Sequence, residues 1–310
     1  MKTVYIDCPP YNHAILRTHG LLQRVPDMQV YIGEPDRSTL HELVQDAVAL
    51  INGRTYMDAE LLRRSPALKT IVFLGTGASS YIDLGAAEAL GIEVRTVIGY
   101  GDRTVAEHAM ALMLAASRNV ALMDRDIRCG KWHTMRGLEL TGKRLGIVGL
   151  GAIGRTLAHM GAQFGMEVVA WNRSRVAGEL PCKMVTLDEL LETSQLISLH
   201  LALNEATENM IDAKKLALMR HDAILINVAR GALVDERALI DALRSQRIAH
   251  AALDVFDQEP LPPGHPLTTL DNVTLTAHAG FSSEEAIKRL LSQGIDALEE
   301  SMRRCQSAQL

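Results

Sequence analysis

The sequence predicts an α/β protein made of a larger, doubly wound parallel sheet and a smaller α/β unit that precedes it. Three observations carry this. Short β-forming runs alternate with helical spacings twice along the chain, first before residue 98 and again from residue 145 to 276. The second series opens on Leu145, Ile147 and Val148, which run into Gly149-Leu-Gly151-Ala-Ile-Gly154 and then a helical pattern. A length of 310 residues suits two domains of roughly 150 residues each.

In the first series, residues 3–6, 29–32, 47–51 and 70–74 are β-rich, and residues 38–44 and 58–64 between them have helical spacing. The fourth run ends in Gly75-Thr76-Gly77-Ala78-Ser79. A loop at the carboxyl end of such a strand serves either as a ligand loop or as an ordinary βα turn, and spacing alone leaves both open. Another strand at 93–97 and a link at 99–104 lead to a long apolar helix at 105–117, whose few charges suggest burial between domains or subunits. His108 within it reads as a hydrogen-bonded core histidine. Residues 124–142 are polar and glycine-punctuated and include Trp132, which reads as a surface arm and a candidate dimer interface.

The second series has strands at 145–149, 167–171, 196–201, 223–228, 250–255 and 273–276, with helices at 153–164, 187–193, 213–219 and 235–246. Six strands in this order match a doubly wound, Rossmann-type sheet. The glycine turn is its dinucleotide fingerprint: Gly149 takes a positive φ, Gly151 leaves no Cβ against a pyrophosphate, and Gly154 lets helix and strand approach. Backbone N–H groups and the helix dipole hold the phosphates. The last helix starts at a serine cap, Ser282-Ser-Glu-Glu, and its periodicity reaches about residue 302.

Composition narrows the function classes. The content is 47% hydrophobic and 22% charged, ordinary for a globular protein, and the net charge of −5 with no basic run argues against nucleic acid. Cys8, Cys129, Cys182 and Cys305 are scattered with no CxxC pair, so neither a disulfide framework nor a metal site is expected. The N-terminus enters a strand pattern and meets Asp7 too early for a signal-peptide core, and no apolar run approaches the ~20 residues of a membrane span. A cytoplasmic protein without membrane contact is the expectation.

Three residues that can do chemistry stand just past strand ends: Arg230 after 223–229, Glu259 after 254–258 and His278 after 273–277. Singly they read as a surface ion pair, a solvated acid and a satisfied loop histidine. Together they share the sheet edge where the dinucleotide turn lies, and they form a reduction site. Hydride delivery to a 2-oxo acid builds negative charge on an oxygen beside an existing carboxylate, so the site needs a fixed cation and a proton donor. Arg230 offers bidentate contacts to both groups, His278 gives the proton, and a carboxylate beside it, Glu259, favours the protonated ring.

With these residues in place, the chain resembles the D-isomer-specific 2-hydroxyacid dehydrogenase family along nearly its whole length. The matching stretches are Thr104-Val-Ala-Glu-His-Ala, Gly142-Lys-Arg-Leu-Gly-Ile-Val-Gly-Leu-Gly-Ala-Ile-Gly154, Ser198-Leu-His-Leu, Asn227-Val-Ala-Arg-Gly-Ala-Leu-Val-Asp235, Asp254-Val-Phe-Asp-Gln-Glu-Pro-Leu and Leu275-Thr-Ala-His278. The resemblance implies a catalytic set of Arg230, Glu259 and His278 and a backbone carboxylate clamp at Gly75, Thr76 and Gly77 that serves with Arg230 in substrate binding. It implies cofactor contacts at Ala152, Ile153, Leu201, Val228, Ala229 and Asp254 as well. It further implies a flavodoxin-like substrate domain from residues 1–98 and 282–310, a dinucleotide domain from 99–281, and a homodimer formed through the latter.

Two departures stand out. Ala277 replaces the proline that many members carry before the acid/base. About 20 residues past the glycine turn, where NAD enzymes place an acid for the ribose 2′-OH, the chain has Asn172-Arg173-Ser174-Arg175 instead. Asn172, Arg173 and Ser174 are therefore the cofactor-loop candidates, and NADP(H) is favoured over NAD(H). The reading is a reductase of small 2-oxo acids such as glyoxylate or hydroxypyruvate. A 3-phosphoglycerate dehydrogenase is the alternative, and a dinucleotide-sensing, corepressor-like scaffold is the alternative of another class.

Overall fold

The computed structural model describes residues 2–307, and the chain divides into two compact units. One takes the residues up to Gly101 and those from Ser283 onward; the other is Asp102–Ser282.

In the first unit β1 (Lys2–Cys8), β2 (Met28–Ile32), β3 (Ala47–Asn52), β4 (Thr70–Phe73) and β5 (Glu93–Thr96) form a parallel sheet in the order β2-β1-β3-β4-β5. This is the flavodoxin-like order, as expected. Period-two alternation sends Val4, Ile6, Leu50, Ile71 and Phe73 to one face and Tyr5, Ala49, Ile51 and Val72 to the other, where each set joins a separate core. Both faces are covered, so the central strands read as continuous apolar runs. The links are α1 (Pro10–Thr18), α2 (Arg37–Val44), α3 (Ala59–Arg63) and α4 (Leu84–Ala89). Asp36, Asp58 and Asp83 cap the last three by accepting from the N–H of Thr39, Leu61 and Ala86, about 1 kcal/mol each.

The second unit begins with α5 (Asp102–Ser117) and α6 (Val120–Arg128). Its sheet comprises β6 (Arg144–Val148), β7 (Glu167–Trp171), β8 (Lys183–Met184), β9 (Leu196–Leu199), β10 (Ile224–Asn227), β11 (His250–Leu253) and β12 (Val273–Leu275). All pairs are parallel, in the order β12-β11-β10-β9-β6-β7-β8. The strand order reverses between β6 and β9, the position where doubly wound sheets bind ligands. The expected six strands become seven: β8 pairs with β7 through two residues only, Lys183 and Met184, too few to show a periodicity.

The apolar helix α5 does not need a partner domain to bury it. Ala106, Ala109 and Met113 lie on Leu145, Ile147, Ile226 and Ala252 of the sheet, beside α7 (Ala152–Gln163). On the opposite face α8 (Leu187–Thr193), α9 (Ala213–Leu218) and α10 (Glu236–Arg244) place Leu190, Leu216, Leu239 and Leu243 against Val148, Ile197, Leu225 and Leu253. The polar stretch from 124 is helical up to Arg128; beyond it, residues 129–137 are exposed throughout.

The chain then returns to the first unit as α11 (Glu284–Ser307), where Ser283 Oγ accepts the N–H of Ala286 at 3.2 Å. Ile287, Leu291, Ile295 and Leu298 complete the core around Tyr5 and Val72, and Arg95 pairs with Glu300 at 2.6 Å. Among the described residues no helix is long and apolar enough to cross a membrane.

Candidate active site

The turn after β6 meets the demands of its three glycines. Gly149 has φ 101°, and a Cβ there would lie 2.7 Å from the His200 carbonyl oxygen. A Cβ at Gly154 would lie 2.1 Å from the Gly149 oxygen, so β6 and α7 approach only because it is absent. Gly151 differs: a Cβ there meets no atom within 4 Å and would project into open space, while Gly151 itself caps α7 without a side-chain bond. That space, next to first-turn N–H groups, fits a pyrophosphate that a side chain would displace. Ala152 is exposed and Ile153 half-buried in this turn; Leu201 follows β9, and Val228 and Ala229 follow β10 at the same sheet edge.

Asn172, expected to face cofactor, has its side chain engaged within the protein. Its Oδ1 accepts the Leu150 N–H at 3.0 Å and its Nδ2 donates to the Ser174 carbonyl at 2.9 Å, which braces the glycine turn against the loop after β7. Arg173, Ser174 and Arg175 on that loop are exposed.

Arg230, Glu259 and His278 all belong to the second unit, on the loops after β10, β11 and β12. His278 Nδ1 lies 2.6 Å from Glu259 Oε2, and Glu259 Oε1 accepts the Phe256 N–H at 3.0 Å, so the carboxylate is fixed by its own loop and fixes the ring. Burial works to raise the Glu259 acid, but the bonds from His278 and Phe256 and the charges of His278 and Arg230 outweigh it and hold the carboxyl below its usual range. The Phe281 ring meets the His278 imidazole edge-on, with centroids 6.4 Å apart.

Arg230 is half-buried, and its Nη1 donates to the Ala229 carbonyl at 2.6 Å. Gly231 beside it is a site residue that spacing does not reveal. A Cβ there would lie 2.0 Å from the Phe256 carbonyl carbon, so the missing side chain seats the arginine loop directly on the loop that carries Glu259.

Three other histidines with polar partners are excluded by their surroundings. His265 uses both ring nitrogens, one near Glu236 at 3.0 Å and one accepting from Leu267 N–H. His200 pairs with Ser198 at 2.8 Å and His250 with Thr274 at 2.9 Å, and burial pushes both down to about 4, which keeps them neutral. His278 differs in that Nε2 is not engaged by Glu259 and the side chain is 36% exposed, as a proton donor requires.

Asp254, expected at the cofactor, is 1% exposed, and its carboxylate accepts from Thr276 Oγ1 at 2.6 Å and from the N–H groups of Ala279 and Gly280 at 2.8 Å each. It shapes the loop on which His278 stands. In the first unit, Gly75 is buried, Thr76 exposed and Gly77 half-buried at the carboxyl end of β4. Asp7, which no sequence motif marks, accepts there from the N–H groups of Gly53, Arg54 and Thr55 and from the Thr55 hydroxyl, tying the ends of β1 and β3 together. Among the described residues no group of three metal-ligating side chains occurs.

Comparison with known proteins supplies the family. Residues 110–280 match the model of the D-isomer specific 2-hydroxyacid dehydrogenase NAD binding domain. A glyoxylate reductase of Aeropyrum pernix is 38% identical over 90% of this chain and 87% of its own. A D-3-phosphoglycerate dehydrogenase of Methanocaldococcus jannaschii is 36% identical over 93% of this chain, which spans 55% of that protein. Among solved structures, an acyclic imino acid reductase in complex with NADPH and D-Arg superposes with a TM-score of 0.84 at 30% identity, covering 98% of each chain. The chain belongs to the D-isomer-specific 2-hydroxyacid dehydrogenase family and is an NAD(P)-dependent oxidoreductase.

Proposed function

We propose that the protein reduces small 2-oxo acids, glyoxylate to glycolate or hydroxypyruvate to D-glycerate, and that it prefers NADP(H). The observation that carries the reading is the His278–Glu259 pair at 2.6 Å with the charge of Arg230 acting on the same carboxylate. When bound, the nicotinamide supplies the hydride. Arg230 holds the substrate carboxylate and carbonyl oxygen and stabilises the charge that develops there. His278 delivers a proton to that oxygen from Nε2 while Glu259 holds Nδ1, and in the oxidative direction the same nitrogen takes the proton back. The backbone of Gly75, Thr76 and Gly77 adds carboxylate contacts in this reading.

Gly149, Gly151, Ala152, Ile153 and Gly154 would hold the pyrophosphate, and Leu201, Val228, Ala229 and Asp254 would line or support the nicotinamide half. The NADP(H) preference is supported by the absence of an acid at 172–175 and by the exposed Arg173, Ser174 and Arg175. A homodimer is supported by α6, which has no buried residue, and by exposed Val120, Ile127 and Trp132.

Steady-state assay with NADPH against glyoxylate, hydroxypyruvate and other 2-oxo acids, with 3-phosphoglycerate and NAD in the reverse direction, tests the proposal. Turnover of a small 2-oxo acid supports it. Oxidation of 3-phosphoglycerate alone would replace its substrate, and no turnover with either nicotinamide would refute it.

A further inference from the structure

A second polar cluster underlies the acid/base loop, and the reduction step does not itself use it. Asp254 takes the Thr276 hydroxyl and the N–H groups of Ala279 and Gly280 on its carboxylate, and its carbonyl accepts the N–H of His278 at 2.8 Å. These bonds hold residues 276–280 in a shape in which His278 has φ 49°, a left-handed backbone that side chains other than glycine rarely adopt. His108, from α5, reaches the same cluster: its Nε2 is 3.0 Å from Thr276 Oγ1 and 3.3 Å from Asp254 Oδ1. A Cβ at Gly280 would lie 3.0 Å from Asp254 Oδ2 and 3.6 Å from His108 Cδ2, so the groups are in close packing.

Counting hydrogens assigns the direction of these bonds. Thr276 has one hydroxyl hydrogen, and a carboxylate oxygen at 2.6 Å accepts it. Toward His108 the Thr276 oxygen is therefore the acceptor, and His108 Nε2 carries the hydrogen.

We infer that His108 is a positioning residue for the acid/base: its Nε2–H orients the Thr276 hydroxyl and the Asp254 carboxylate, which in turn shape the turn that aims His278 at Glu259. The acid/base role of His278 rests on the proposed reductase activity; the support of the loop by His108 does not.

His108→Leu removes the donor and keeps apolar bulk on α5. It lowers kcat by about tenfold or more, leaves KM and NADPH affinity unchanged, and speeds hydrogen exchange at the Ala279 and Gly280 amides. His108→Gln, which restores an N–H at similar reach, recovers most of the rate and the protection. Should His108→Leu fold poorly, Thr276→Val removes the acceptor with little change of shape and has the same effects, and adding His108→Leu to it brings no further loss. Unchanged amide exchange in His108→Leu overturns the inference. So does His108→Gln falling as far as leucine, or a joint loss of KM, cofactor affinity and kcat. If the wild type turns over no 2-oxo acid, the reductase reading fails, and amide exchange at residues 279 and 280 alone decides the role of His108.

Discussion

In the proposed mechanism His278 and Arg230 divide the work at the scale of single residues, and their loss has separable consequences. His278→Ala removes the proton donor and lowers kcat by about 10²–10⁴-fold. Arg230→Ala removes charge stabilisation and lowers kcat/KM by about 10²–10³-fold. Both variants still bind NADPH by fluorescence titration, and retained turnover in either contradicts its role. Asp254 makes a prediction about pH. Burial works to raise its acid, but bonds from His108, Thr276, Ala279 and Gly280 hold it below the ordinary range. A carboxyl whose folded value is depressed stabilises the protein above the unfolded value, near 3.9 for aspartate, and that contribution disappears as pH falls through the folded value. Unfolding by denaturant at stepped pH shows this loss in the wild type, while Asp254→Asn is about 1–3 kcal/mol less stable at neutral pH and lacks that part of the fall. Arg230, Glu259 and His278 are legible in the sequence as a candidate set because all three stand just past strand ends on one sheet edge. Gly231 and Thr276 are not, because their partners Phe256 and His108 are set by packing between distant loops and a helix.

Among the elements, the turn from β6 to α7 is the most legible, since strand, glycines and helix lie in one short stretch. Gly154→Ala forces a Cβ onto the Gly149 carbonyl, which destabilises by about 1–3 kcal/mol through overpacking and weakens binding of both nicotinamides. Calorimetric unfolding and cofactor titration read both effects. Under the proposed NADP(H) preference, the loop after β7 acts on one cofactor only. Arg173→Ala with Arg175→Ala weakens NADPH binding by about tenfold or more, as expected when charge-assisted bonds to a 2′-phosphate are lost, and leaves NADH unchanged. Equal loss for both contradicts the NADP(H) preference. The bracing of this loop by Asn172 depends on which way an amide turns, and no sequence pattern records that. The two-residue β8 escapes a sequence reading for a related reason: it is a strand only because β7 offers it an edge.

For the whole molecule, two successive βα alternations are enough to expect two parallel sheets, because covered parallel strands read as apolar runs; the flavodoxin-like form of the smaller one comes from the family resemblance, since handed crossovers alone allow several strand orders. The proposed subunit contact leaves a weaker mark. α6 and the following arm expose Ile127 by 56% and Trp132 by 85%, apolar side chains that the proposed dimer contact would cover. Ile127→Asp with Trp132→Glu gives a monomer by sedimentation where the wild type sediments as a dimer; a monomeric wild type contradicts the dimer. Activity and handedness bear on the function more directly than assembly does, since Arg230, Glu259 and His278 are held to direct reduction of a 2-oxo acid to one enantiomer. The most direct measurement is chiral analysis of the glycerate formed from hydroxypyruvate and NADPH. The D-enantiomer is expected from the wild type, and about 10²–10⁴-fold slower product formation from His278→Ala; L-glycerate, a racemate or no product from the wild type would contradict that role.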